Sequence, residues 1–223
     1  PVYGDSDGIL VRERADPWVL RDDELNEEST YYFTGSYPTT RENPGVGYDR
    51  IVLRSAGDIN GLTDAEEQTV LYAGNVSGSV TKEPGVQTAT SHFRYFWAPE
   101  LHKIGGDWYL LFTASTNADD RWGIRPALMR ADGDKDPMDP ASWEAPQFMQ
   151  AFPGDTEAFT HFSLDMTYFE ANGKHYVSWA EKPGTSDLRL AEIDPANPGQ
   201  LINRSILLST PNYAWERSRD RKS

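Results

Sequence analysis

At 223 residues with a formal net charge of −14, the chain is long enough to bury a core. It is also too acidic to take nucleic acid phosphates or an anionic membrane as a main partner. The absence of cysteine excludes disulfides, thiol nucleophiles and Cys-ligated metals. No apolar run approaches a membrane span, and PVYGDSDGILV lacks the basic-then-apolar pattern of a signal peptide, which leaves the compartment open.

Taken in chain order, short β-branched and aromatic runs alternate with turn residues, which predicts an all-β protein. ADPWVL carries Asp16 and is followed, after the acidic connection RDDELNEEST, by YYFTGS. RIVLRSA from Arg50 reads as a third strand. DAEEQTVLYAG from Asp64 has some helical character, but it also fits a turn leading into a strand at Thr69–Ala73. The pattern then returns. APELHKI with Glu100 and WYLLFTAS flank Gly105-Gly106, a hairpin turn signal. RPALMRA from Arg125 and Phe148–Ala151 are the next strand candidates, separated by the polar segment DGDKDPMDPASWE.

In the third unit, SLDMTYFEA with Asp165 and HYVSWAE flank Asn172-Gly173. LRLAEI and Ile206–Leu208 follow, with DPANPGQ read as a loop between them. Four antiparallel strands per unit outline β-propeller blades, about three of them complete. The carboxylates Asp16, Glu100 and Asp165 stand at what reads as one repeated position. Innermost strands would bring them together around the propeller axis. Residues 1–216 read as a single domain, and the basic RSRDRKS, 217–223, as a disordered tail. The histidines His92, His102, His161 and His175 show no metal-ligand spacing.

The early ADPWV, the central FWAPELH with GGDWYLLFTAS, the later FSLDMTYFEANGKHYVSWAE and the terminal LLSTPNYAWE together resemble glycoside hydrolase family 43. The similarity is nearest to its α-L-arabinofuranosidases. It implies a five-bladed β-propeller that cleaves arabinofuranosides or xylosides with inversion. Plant cell-wall arabino- or xylo-oligosaccharides would be its ligands. Matched residue by residue, Asp16 takes the place of the general base. Asp165 takes that of the carboxylate that orients the acid and adjusts its pKa. Trp97, Glu100 and Trp18 fall in the pocket.

Two departures stand out. Met166 replaces the glycine common after the family's aspartate, which puts the local backbone geometry in question. The Asn-Glu-Gly-Pro segment that carries the family's general acid is absent. Glu216 in the Trp-Glu element is therefore a candidate to fill that role, although it is not the matching position.

The resemblance requires no cofactor and allows a structural calcium. A degenerate propeller that binds arabinose- or xylose-containing sugars without cleaving them, and a β-xylosidase, are the alternatives. A retaining fructosidase-type propeller fits poorly, because its Asn-Asp-Pro and Glu-Cys segments are missing. Exposed blade edges predict a homo-oligomer.

Overall fold

The computed structural model describes residues 4–23, 29–39, 47–74, 82–90, 93–117 and 120–217. His92 and tail residues 218–223 lie outside this set, as does part of the acidic connection after Asp23. The chain forms three sheets, in line with the expected blades. Blade one holds β1 (Ala15–Asp22), β2 (Thr30–Ser36), β3 (Arg50–Ala56), β4 (Gln68–Tyr72) and β5 (Gln87–Thr88), paired in sequence order. Blade two holds β6 (Arg94–Ile104), β7 (Asp107–Asn117), β8 (Asp120–Ala131) and β9 (Gln147–Phe148). Blade three holds β10 (Phe162–Ala171), β11 (Lys174–Lys182), β12 (Asp187–Asp194), β13 (Asn197–Leu201) and β14 (Ile206–Ser209). A single helical turn, α1 (Ala214–Arg217), follows.

The turn residues act as their chemistry dictates. Gly105 and Gly106 have φ of 60° and 95°, and Asn172 and Gly173 have 52° and 71°, the left-handed pair that a tight hairpin needs. Within DAEEQTVLYAG the strand prevails over the helix, because Thr69, Val70 and Leu71 are buried in β4.

Two expectations are corrected. Of Phe148–Ala151 only Phe148 is in a strand, the two-residue β9, after which Met149 N donates to Pro126 O and the chain turns toward blade three. DPANPGQ is not all loop: Asn197–Leu201 forms β13, which pairs with β12. A proline is tolerated there because β13 lies at a sheet edge, where its missing N–H breaks no ladder.

The core explains why WYLLFTA is apolar throughout. Trp108, Leu110, Phe112 and Ala114 of β7, with Phe96 of β6, pack toward blade one and its Tyr32, Ile51 and Leu53. The alternate residues Tyr109 and Leu111 pack toward blade three with Met166, Val177 and Trp179. A strand buried on both faces needs apolar residues at odd and even positions alike. Blade two is thus the wedge that fixes the angle between its neighbours. β6 packs beside β1 and β2, and β10 beside β6, β7 and β8. The first strands of the three blades therefore meet at the centre.

Candidate active site

The three central strands share one irregularity, and it builds the site. Ala15 pairs with Ser36 and Trp18 with Thr34, so β1 carries one residue more than β2 between these pairs. The same extra residue occurs in β10, where Leu164 pairs with Ala180 and Thr167 with Ser178. It recurs in β6, where Trp97 pairs with Thr113 and Glu100 with Leu111. Each is a β-bulge, a device that bends a strand and re-aims a side chain. The residue at each bulge has a positive φ: 49° at Asp16, 44° at Ala98 and 53° at Asp165. Aspartate tolerates this conformation better than most residues, whereas alanine does not. Strain of this kind, about 1–3 kcal/mol per residue, persists only where the surroundings enforce it.

The bulges correct the reading of three equivalent acids. Asp16 and Asp165 are equivalent, but their counterpart in blade two is Ala98. Glu100 instead shares the register of Trp18 and Thr167, just past the bulge. The acids still converge. Asp16, Pro17, Trp18, Ala98, Glu100 and Asp165 line one open cavity of about 220 Å³. That is smaller than the usual site for a drug-sized ligand and suits one sugar ring.

Each acid has a different environment. Asp16 is exposed, and its Oδ2 accepts a hydrogen bond from Ser36 Oγ at 2.7 Å. Ser36 is buried, and its Oγ also accepts from the Ala98 amide at 2.7 Å, which ties blade one to blade two at the bulge. Glu100 Oε2 lies 2.8 Å from Nε2 of the buried His102. The His102 ring in turn packs 4.8 Å from Trp18 and 5.6 Å from Tyr168. Trp18 is locked across the blades by its Nε1, which donates to Leu101 O at 2.9 Å.

Asp165 keeps an exposed residue surface, yet protein crowding around its carboxyl raises its pKa, and the neighbouring charges of Asp16 and Glu100 add to this. Lys182 opposes the shift. A raised folded-state pKa means that ionised Asp165 costs stability once the pH is above that pKa. The cost disappears as the pH falls below the ordinary value of 3.8, where both folded and unfolded forms are protonated. Asp165→Asn is therefore expected to raise the melting temperature at pH 7, with the gain shrinking toward pH 3. A gain that does not depend on pH would contradict this origin.

The Met166 departure is absorbed by packing. The left-handed residue is Asp165, not Met166, and the Met166 side chain is buried among Ile104, Leu111 and Val177. Glu216 is not among the residues lining the cavity. Its Oε2 accepts from the amides of Asn212 and Tyr213, both at 2.8 Å, and so closes the turn before α1. Trp97 sits next to the cavity residue Ala98, half-buried, with its ring 5.8 Å from Tyr48.

The sequence pattern assigns no site role to Ser36 or His102. Their positions in YYFTGS and PELH carried a signal only once the register was known: Ser36 faces the bulge, and His102 follows Glu100 on the same strand face. Among the described residues, no group of three or more His, Cys, Asp or Glu side chains could hold a metal ion.

The pattern of "Glycosyl hydrolases family 43" matches residues 8–215. Alpha-L-arabinofuranosidase B of Pyricularia oryzae is 36% identical over 214 residues, covering 93% of this chain and 37% of the relative. An extracellular exo-alpha-(1->5)-L-arabinofuranosidase of Streptomyces chartreusis is 36% identical over 211 residues, covering 93% of this chain and 53% of its own length. The crystal structure of an alpha-L-arabinofuranosidase from Lactobacillus brevis superposes with a TM-score of 0.69 at 32% identity, over 96% of this chain and 57% of that one. The chain thus spans about half the length of these relatives, or less. With the bulged acid-bearing strands and the matched pattern over nearly all its length, the chain belongs to glycosyl hydrolases family 43.

Proposed function

We propose that this chain carries much of the pocket of a glycoside hydrolase that removes α-L-arabinofuranosyl units from arabinan or arabinoxylan side chains with inversion. The observation that carries this reading is the pair of aspartates on equivalent bulges, Asp16 and Asp165, facing one sugar-sized cavity in unlike environments. Inversion needs one carboxylate to activate water and a carboxylic acid on the opposite side of the ring, about 6.5–9.5 Å away. Asp16 is exposed and held by the Ser36 hydroxyl, which suits the base. Asp165, whose proton is held more tightly, suits the group that tunes the acid. Glu100 and Trp18 would grip the sugar, and Trp97 would form the adjoining wall. Purified protein is expected to release β-L-arabinofuranose first from an aryl α-L-arabinofuranoside, as read by the anomeric proton signal. Release of the α anomer first would overturn inversion, and no release by folded protein would overturn hydrolysis.

A second reading, sugar binding without cleavage, is favoured by Glu216. Its carboxylate is engaged by two backbone amides, and no other described residue lining the cavity is left for the acid role once Asp16, Glu100 and Asp165 are assigned. Calorimetry with arabinose in the absence of turnover would support it.

Self-association of the chain is part of the proposal. The β14 residues Ile206, Leu207 and Leu208 are 56%, 53% and 53% exposed, an apolar edge of the kind that pairs with another chain. Light scattering at micromolar concentration is expected to give more than the monomer mass of 25.1 kDa. A monomer would remove this part of the proposal.

A further inference from the structure

The first strands of the three blades converge on one imidazole. His102 of β6 packs its ring 4.8 Å from Trp18 of β1 and 5.6 Å from Tyr168 of β10. Both neighbours are fixed in turn. Trp18 Nε1 donates to Leu101 O at 2.9 Å. The Tyr168 hydroxyl donates to Glu170 Oε1 at 2.6 Å and lies 2.7 Å from His175 Nδ1. A buried ring set between two fixed rings has little room to turn.

Glu100 stands two residues before His102, on the same face of β6. Its Oε2 lies 2.8 Å from His102 Nε2. A carboxylate only accepts hydrogen bonds, so Nε2 is the donor. The bond ties one oxygen of Glu100 to an immobile donor and so fixes the direction in which the other can accept. Glu100 and Trp18 line the cavity, whereas His102 is not among its lining residues. Two cavity residues thus rest on one buried ring, Glu100 through a hydrogen bond and Trp18 through ring contact.

We propose that His102 is a positioning residue for sugar binding: its Nε2 aims the Glu100 carboxylate at a hydroxyl of the bound sugar, and its ring sets the tilt of Trp18. This rests on the proposed function and deepens it, because it gives control of sugar affinity to a residue that touches no sugar. Of the two contacts the hydrogen bond weighs more. A bond to a carboxylate is directional, and a misaimed acceptor loses its ligand hydroxyl. Trp18, in contrast, keeps its own anchor at Leu101.

The two contacts can be separated by calorimetry of the full chain with arabinose. His102→Phe keeps a ring between Trp18 and Tyr168 but removes the donor. It is expected to weaken arabinose binding about tenfold, the scale of one lost hydrogen bond to a charged group. His102→Gln keeps a donor near the place of Nε2 but removes the ring. It should recover most of the affinity, to within about two- to threefold of the parent, the scale of one ring contact. In a chain that carries Glu100→Ala, His102→Phe should add less than about twofold, because the group it acts through is gone. If His102→Phe does not fold, His102→Leu, which also lacks the donor, takes its place with the same expectations. A full tenfold loss in the Glu100→Ala chain overturns the positioning role. So does equal weakening by His102→Gln and His102→Phe, or unchanged affinity in His102→Phe. Failure of the unaltered chain to bind arabinose overturns the proposed function together with this role.

Discussion

Asp16→Asn is expected to lower the rate of arabinofuranoside cleavage by about 10²–10⁴-fold, the usual worth of a positioned general base. The choice of asparagine matters. Asp16 sits at φ 49°, where alanine would add backbone strain and confuse a chemical loss with a folding defect. Asparagine tolerates that conformation and can still accept the hydrogen bond from Ser36. The circular dichroism spectrum and unfolding midpoint should therefore match the parent, while the turnover number falls and KM changes little. A variant that keeps a tenth or more of the parent rate would remove Asp16 from the role of base.

The second large effect is on stability, and it comes from a carboxylate that is wholly enclosed. Glu181 is 0% exposed at the end of β11. Its Oε2 accepts from Phe159 N at 2.9 Å and from Trp179 Nε1 at 2.8 Å. Its Oε1 accepts from the amides of Thr160 at 2.8 Å and His161 at 2.9 Å. A buried charge is tolerated only when hydrogen bonds replace its water, and here four N–H donors do so. Phe159 has φ 60°, so the same carboxylate holds a strained turn directly before β10.

Glu181→Ala leaves these donors without an acceptor, at about 1–3 kcal/mol for each donor that water cannot reach. Trp179 is fully buried, whereas Thr160 and His161 are exposed and would be partly rescued by solvent. The net loss is expected to be about 2–4 kcal/mol in urea unfolding. Glu144→Gln, which breaks only a surface pair with Arg130, should cost less than about 1 kcal/mol. Because the clamped turn leads into the strand of Asp165, the Glu181 variant should also bind sugar more weakly at temperatures well below its midpoint. An unchanged unfolding midpoint would show that the turn holds itself.

Much of the blade pattern could be read directly from local chemistry. Gly105-Gly106 and Asn172-Gly173 announce hairpins because few other pairs reach positive φ at two successive positions. Runs such as RIVLRSA and WYLLFTAS announce strands through their residue types. β13 was missed because its strand character comes from pairing with β12, not from NPGQL itself. β9 was overextended because three apolar residues looked like a strand continuing, while the chain was already turning toward Gln200.

The acids show the same division. Local residue patterns suffice to put Asp16, Glu100 and Asp165 on the first strands of repeated units and to mark the polypeptide as acidic, cysteine-free and all-β. Composition, turn residues and strand alternation are properties of neighbouring residues, and they survive without a fold. Pairing across the fold sets that Asp16 and Asp165 are true equivalents, that Ala98 occupies the third bulge, and that Ser36 and His102 stand beside them. A bulge shifts register by one residue. Which side chain then faces the axis depends on pairing with a strand elsewhere in the chain, and no local pattern contains that information.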